Sequence, residues 1–238
     1  MSSELAQLRQ DNEDLQAFAA MAAHDLRSPL AVVSMYAELL ADDLADGPFD
    51  RAAAGERLQR ILRAAERGTA LIEDLLAYAS IGSDSLDIGL VDLTLLARAV
   101  AAEQEASADR RVHIRVRRLP EVEGSLPLLR QLLSNLVGNA VKYTPADREV
   151  HIEVDAAAGR SADWVVIRIT DNGDPIPLRD RERLFGMFQR GAQRDVPGSG
   201  VGLAICQRVA EAHGGRVELD PEYADGNRFC IELAATRP

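Results

Sequence analysis

Leu5, Leu8, Asn12, Leu15, Ala19, Ala22, Leu26, Pro29, Val33, Tyr36 and Leu40 recur in alternating steps of three and four. That is the a/d seam of a coiled coil held over several heptads, and it predicts one long helix from about residue 4 to 45. At 1.5 Å per residue such a rod is roughly 60 Å long and needs a partner to be stable. The turn residues from Asp42 to Pro48 end it. Asp50 can cap a second helix, in which Leu58, Leu62, Ala65, Thr69, Ile72, Leu76 and Ala79 step by four and three. Two seamed helices joined by a short loop predict an antiparallel hairpin, and two copies pairing as a four-helix bundle bury both apolar faces better than one. A homodimer is the expectation.

The stretch 82–91 is rich in small and polar residues, and after it the pattern becomes mixed. The expected division is a helical hairpin over 1–81, a linker over 82–91 and a second domain over 92–238. In that domain the periodicity predicts a helix over 91–108 with Asp92 as a possible cap, a strand over 111–117 and a helix over 126–143. Strands over 149–155 and 164–170 make a hairpin around Gly159. Short helices follow over 178–188 and 200–213, the latter ended by Gly214 and Gly215. Strands over 217–219 and 227–233 close the chain. Strand pairs joined by short loops predict an antiparallel-rich sheet with helices on one face, an α+β sandwich.

Composition narrows the function. A net charge of −11 lacks the basic footprint of a general nucleic-acid binder. No apolar run is long enough to cross a bilayer, so no membrane contact is expected of this segment. Cys206 and Cys230 form neither a metal-ligand spacing nor a disulfide framework and read as bystander thiols in a reducing cytosol.

Four places carry candidate chemistry. His24 falls at heptad position f, facing away from the seam, beside Asp25 and five residues before the helix-interior Pro29. An exposed imidazole on a rod with a bend just beyond it is one reading; a surface histidine beside an accidental proline is the other. Asn135, Asn139 and Lys142 share one face of their helix at spacings of four and three. Carboxamide oxygens suit Mg²⁺ and an ammonium suits phosphate, although a solvated face has the same pattern. Asp171-Asn172-Gly173 follows a strand, where a carboxylate can accept from an exocyclic amine such as that of adenine, or where an Asn-Gly turn simply closes a loop. Gly198-Ser199-Gly200-Val201-Gly202-Leu203 opens a helix whose first N–H groups can face an anion. The dinucleotide-binding reading of these glycines fails, because no βαβ unit precedes them.

Taken in order, these stretches resemble the catalytic core of bacterial sensor histidine kinases over nearly the whole chain. The run from His24 to Leu30 resembles the phosphoacceptor box, and Asn135 to Thr144 the N box. Asp171 to Gly173 resembles the first glycine box, Leu184 to Arg190 the aromatic box and Gly198 to Gly202 the second glycine box. The resemblance implies a dimeric hairpin followed by an ATP-binding α/β sandwich of the kind shared with gyrase, Hsp90 and MutL. It implies that His24 takes the γ-phosphoryl group of ATP, with Asp25 as base or orienting carboxylate. It implies Mg²⁺ on Asn139, with Asn135 close to nucleotide or metal, Lys142 on phosphate and Tyr143 packed near the nucleotide. Asp171 would read the adenine amine, residues 189–199 would form a lid, Gly200 and Gly202 would lie against the phosphates, and Gly173, Gly198 and Leu203 would also belong to the nucleotide site. The implied partners are a response-regulator receiver domain, whose aspartate accepts the phosphoryl group, and an upstream sensor domain or separate sensory protein. The implied location is the cytoplasm, free or as the cytoplasmic part of a membrane-bound sensor. Pro175 stands where a second glycine is usual, Ser28 where phosphatase-active members often carry Thr or Asn, and the last glycine box is reduced to Gly226-Asn227-Arg228-Phe229. These departures keep open a catalytically weakened signalling scaffold. A conformational clamp of the gyrase kind is the third reading, disfavoured by the His24 box.

Overall fold

The computed structural model describes the backbone of residues 2–45, 50–81, 87–161, 163–181, 183–186 and 200–235, with side chains from Ala22 onward. The chain divides into two compact units, the first ending at Leu76 and the second beginning at Ala77.

The first unit is a helical hairpin. Helix α1 (Ser2–Ala45) runs without interruption across Pro29. Helix α2 (Arg51–Ser80) starts at Asp50, whose Oδ1 accepts the N–H groups of Ala52 and Ala53. That carboxylate meets two of the four orphan donors of the first turn. Of the α1 seam, Ala22 is buried and Leu26, Val33, Tyr36 and Leu40 are half-buried. On α2 the outcome differs from the sequence pattern. The stripe of Leu58, Leu62, Ile72 and Leu76 is 46–66% exposed. The buried residues are Ala54, Ala64, Leu71 and Leu75. They belong to a second seam, one helical step round, that includes Arg57, Ile61 and Gly68. Arg57 Nη1 donates to Leu39 O at 3.1 Å, Arg60 lies over the Tyr36 ring, and Pro29 sits against Gly68. Small residues on this inner seam let the helices approach closely. They also make it less visible in sequence than the leucine stripe.

The second unit is a two-layer α+β sandwich. Strand β1 (Gly89–Asp92) begins inside the stretch expected as linker and pairs antiparallel with β3 (Glu121–Gly124). Between them lie α3 (Leu93–Ser107) and β2 (Val112–Val116). Asp92 caps α3 by accepting from Leu95 N at 3.0 Å, so the cap holds, but Val91 and Asp92 belong to a strand rather than to the helix. Helix α4 (Leu126–Tyr143) follows, then β4 (Val150–Ala158) and β5 (Trp164–Asp171), the expected hairpin. Helix α5 is a single turn, Leu178–Arg181, shorter than the sequence predicts; Met187 and Phe188 lie outside the described residues. Helix α6 (Gly202–Ala212), β6 (Arg216–Leu219) and β7 (Asn227–Ala234) complete the unit.

The main sheet has the order β2-β4-β5-β7-β6, with β2 and β4 parallel and the remaining neighbours antiparallel. Its inner face presents Val150, Ile152, Val154, Ile167, Ile169, Phe229, Ile231 and Leu233 to Leu129, Leu132, Leu136, Ile205 and Val209 of α4 and α6, all buried. The outer face is charged. Arg168 grips Asp155 with two hydrogen bonds of 2.7 Å, and Glu232 is buried between Arg160 and Arg216. Cys230 lies on that face, where burial first, then Asp220 and Glu218, pushes its thiol up to about 11.

Candidate functional site

Helix α4 organises the site. Ser125 is its N-cap residue and Pro127 lies in its first turn, where a missing N–H costs nothing. Its leucines face the sheet, which turns Asn135, Asn139 and Lys142 toward the opposite, half-buried side. Asn135 Nδ2 donates to Gly202 O at 3.2 Å, tying the middle of α4 to the first residue of α6. The Asn139 carboxamide has no hydrogen-bond partner among the described residues and is only half-buried. Lys142 Nζ lies 4.8 Å from the Tyr143 ring centroid. Thr144 ends the helix and sits beside Gly173.

At the start of α6, Gly200 has φ 74°, a left-handed conformation that an L side chain rarely adopts. It turns the chain so that Gly202 can meet Asn135. The N-cap residue of α6, Val201, makes no side-chain cap hydrogen bond. Leu203 is half-buried in that first turn. Gly198 lies outside the described residues, as do residues 187–199 generally, including the stretch expected as a lid.

At the other end, Asp171 closes β5 and is 5% exposed. Its Oδ1 accepts Gly173 N at 2.8 Å and Asn227 Nδ2 at 3.1 Å. No further partner holds Oδ2 among the described residues. Burial raises the Asp171 carboxyl above the usual aspartate range, and the hydrogen bonds from Asn227 and Gly173 oppose that shift. A buried acceptor with one oxygen uncommitted is suited to a neutral donor such as an aromatic amine.

Asn227 is the site residue that the sequence reading did not single out. Its Oδ1 accepts Ile176 N at 2.9 Å, and its Nδ2 also donates to Asp174 O at 3.1 Å. Pro175 is therefore bracketed by two anchored neighbours. Gly226 makes this possible: at φ 147° it passes so close to the Asp171 carbonyl that a Cβ would lie 2.0 Å from that oxygen. The signal was present in Gly226-Asn227-Arg228-Phe229, as a glycine before an amide at a strand start.

His213 also differs from its sequence reading as a favourable charge at a helix end. Its Nδ1 meets Val209 O at 2.7 Å, and its Nε2 accepts Ser125 N at 2.9 Å. The ring joins the C-terminus of α6 to the N-terminus of α4 and needs a lone pair on Nε2 to do so.

The second unit thus brings together Asn135 with Gly202, and Asp171 with Gly173, Thr144 and Asn227, along one helix. Asn139, Lys142 and Tyr143 lie on α4 between those ends. His24 is exposed and Asp25 half-buried on α1, in the first unit. Among the described residues no group of three or more His, Cys, Asp or Glu side chains is placed to hold a metal, and no helix is long and apolar enough to cross a membrane.

Comparison with known proteins agrees with this architecture. The family model of the histidine kinase-, DNA gyrase B- and HSP90-like ATPases matches residues 124–237, and that of the His Kinase A phospho-acceptor domain matches residues 14–84. Cyanobacterial phytochrome A of Nostoc sp. is 32% identical over an alignment of 239 residues that covers 98% of this chain and 30% of that protein. The adaptive-response sensory kinase SasA of Synechococcus sp. is 30% identical over an alignment of 245 residues that covers 100% of this chain and 64% of that protein. The chain therefore spans between 30% and 64% of the length of these relatives. The solved structure of the mycobacterial sensor histidine kinase MprB matches with a TM-score of 0.55 at 28% identity, covering 63% of this chain and 100% of that one. With a phospho-acceptor hairpin followed by an ATPase sandwich in one polypeptide, the chain belongs to the sensor histidine kinases, of which it is a catalytic core.

Proposed function

We propose that this chain is a protein-histidine kinase of a two-component system, in which ATP bound by residues 92–238 phosphorylates His24 of the 1–81 hairpin and an aspartate of a receiver domain then takes the phosphoryl group. One observation carries the reading. Helix α4 links the glycine-bounded start of α6, which Asn135 meets at Gly202, to the turn of the buried acceptor Asp171, which Thr144 meets at Gly173, over roughly 13 Å of helix. Phosphoryl transfer asks a protein for positioning and charge neutralisation more than for covalent help.

In this reading Asp171 accepts the adenine amine, Tyr143 packs near the base and Gly173 keeps the turn open. Lys142 meets phosphate, and Gly198, Gly200, Gly202 and Leu203 approach the phosphates with backbone N–H groups. Asn139, with Asn135 nearby, would hold Mg²⁺; a half-buried carboxamide without a protein partner fits a hard cation. Bound there, the ion supplies neutralisation of phosphate charge. A His24 ring nitrogen gives its lone pair to the γ-phosphorus, the bond from that phosphorus to the bridging oxygen breaks, and ADP leaves with the electron pair. Asp25 orients the ring or takes its proton. Incubation with Mg²⁺ and γ-labelled ATP should label the chain with phosphate that survives alkali and is lost in acid, and the label should pass to a receiver domain. An unlabelled but nucleotide-binding chain would instead favour the weakened scaffold, for which Pro175 is the argument.

The homodimer is proposed on the hairpin's outer stripe. Met35, Leu39, Leu58, Leu62, Ile72 and Leu76 are each 41–66% exposed. Burying the exposed part of each contributes about 1 kcal/mol. Leu62→Glu together with Ile72→Glu should turn a dimer into a monomer in sedimentation equilibrium. A wild-type chain that is monomeric at micromolar concentration would overturn the dimer. An upstream sensor domain or a separate sensory protein supplies the input in this reading.

A further inference from the structure

Arg110 lies in the α3–β2 loop, outside every motif named above, yet it holds the end of the N-box helix. Its Nη1 donates to Thr144 O at 2.8 Å, and its Nη2 to Pro145 O at 2.6 Å and to Arg148 O. The last carbonyls of a helix lack intrahelical partners, and a planar guanidinium can meet several of them while opposing the negative end of the helix dipole. One side chain thereby gathers the Thr144–Arg148 loop around itself.

Arg148 carries the link onward. Its Nη1 donates to Asn172 O at 2.6 Å, and its Nη2 to Asp174 Oδ1 at 3.2 Å. Asn172 is fixed in turn, since its Oδ1 accepts His151 N and its Nδ2 donates to Glu149 O, both at 2.9 Å. The two arginines therefore tie the Tyr143–Thr144 side of the site to the Asp171–Gly173 side. Thr144 also sits against Gly173 at this end of α4.

We propose that Arg110, acting through Arg148, is a positioning residue for nucleotide binding: it sets the separation between the end of α4 and the Asp171 turn. This rests on the reading of Asp171 as the adenine acceptor. Neither arginine touches the nucleotide in this account, so the effect is on ground-state binding and not on the transfer step.

The test is autophosphorylation of the full chain as a function of Mg-ATP, with Mg-ADP affinity by calorimetry. Arg110→Gln should raise KM and the ADP dissociation constant about tenfold or more, as small misplacements of a site do, and leave kcat at saturation within about twofold. Arg148→Gln should show the same split. Arg110→Lys keeps the charge but not the fork and should recover only part of the loss. A merely structural role predicts the opposite split, a smaller active fraction with lower kcat and unchanged KM. If Arg110→Gln does not fold, Arg110→Lys and Arg148→Gln give the same readout. Wild-type KM in the arginine variants, beside a large loss in Asp171→Asn, would overturn the role of Arg110 alone. Unchanged binding in Asp171→Asn would overturn the adenine reading beneath it.

Discussion

Asp171→Asn should lower adenine-nucleotide affinity roughly 100-fold while leaving the melting temperature of the protein unchanged or raised. The two effects have separate causes. Asp171 Oδ1 accepts from Gly173 N and Asn227 Nδ2, and an asparagine carbonyl can keep both bonds. What the substitution removes is a buried negative charge whose carboxyl is already pushed up by desolvation, so the unliganded fold has no reason to weaken. The position of Oδ2 becomes an amide N–H₂, a donor facing the donor on adenine, and two opposed donors in a dry site lose both hydrogen bonds. Calorimetry with Mg-ADP and thermal denaturation measure the two sides independently; a variant that binds like the parent would remove adenine from this site.

The same carboxylate gives a pH dependence of defined sign. Between the ordinary aspartate range and its raised folded value, native Asp171 holds a proton that the unfolded chain has released. Its contribution to the stability of the unliganded protein therefore falls as pH rises through that window and is constant above it. Nucleotide binding needs the ionised acceptor and runs the other way. Affinity should decline as pH falls, beginning above the pH at which an ordinary aspartate titrates, and Asp171→Asn should remove that inflection.

Elements long enough to show a period were legible in the sequence. Helix α4 has the bounds its leucines and Pro127 specify, and the β4–β5 hairpin turns around Gly159 as its alternation requires. The pair β1 and β3 was not legible, because each strand has four residues and Asp92, a good helix cap, drew Val91 and itself into the predicted helix. On α2 the eye follows the regular leucine and isoleucine stripe, whereas the inner seam mixes Ala54, Ala64 and Gly68 with Ile61, Leu71 and Leu75. The candidate site divides the same way. Asn135, Asn139, Lys142 and Asp171 stand in contiguous motifs, so their residue types and spacing single them out as candidates. Arg110 and Arg148 act on backbone carbonyls as far as 38 positions away, and an arginine in a surface loop carries no local sign of such a target. Only the fold, by bringing the α3–β2 loop under the end of α4, shows what they hold.

His24→Gln should abolish acid-labile labelling altogether and leave Mg-ADP affinity unchanged. The chain has four histidines, and their surroundings differ. Both ring nitrogens of His213 are engaged, with Val209 O and with Ser125 N, so that ring cannot offer a lone pair to phosphorus without breaking the junction between α4 and α6. His113 and His151 lie in register on adjacent strands with ring centroids 5.4 Å apart, and a phosphoryl group on either would sit on the outer face of the sheet, away from α4 and α6. His24 alone is exposed on a helix, without a hydrogen-bond partner among the described residues and with a carboxylate next to it in sequence. Glutamine keeps the length and polarity of the side chain at an exposed position but has no nucleophilic nitrogen, so the hairpin should fold as before. Because His24 and the nucleotide residues belong to different units, the binding isotherm should not move. The double variant His113→Gln, His151→Gln should keep its label. Acid-labile phosphate surviving in His24→Gln, or lost in that double variant while His24 is intact, would place the acceptor elsewhere and remove the hairpin from the chemistry.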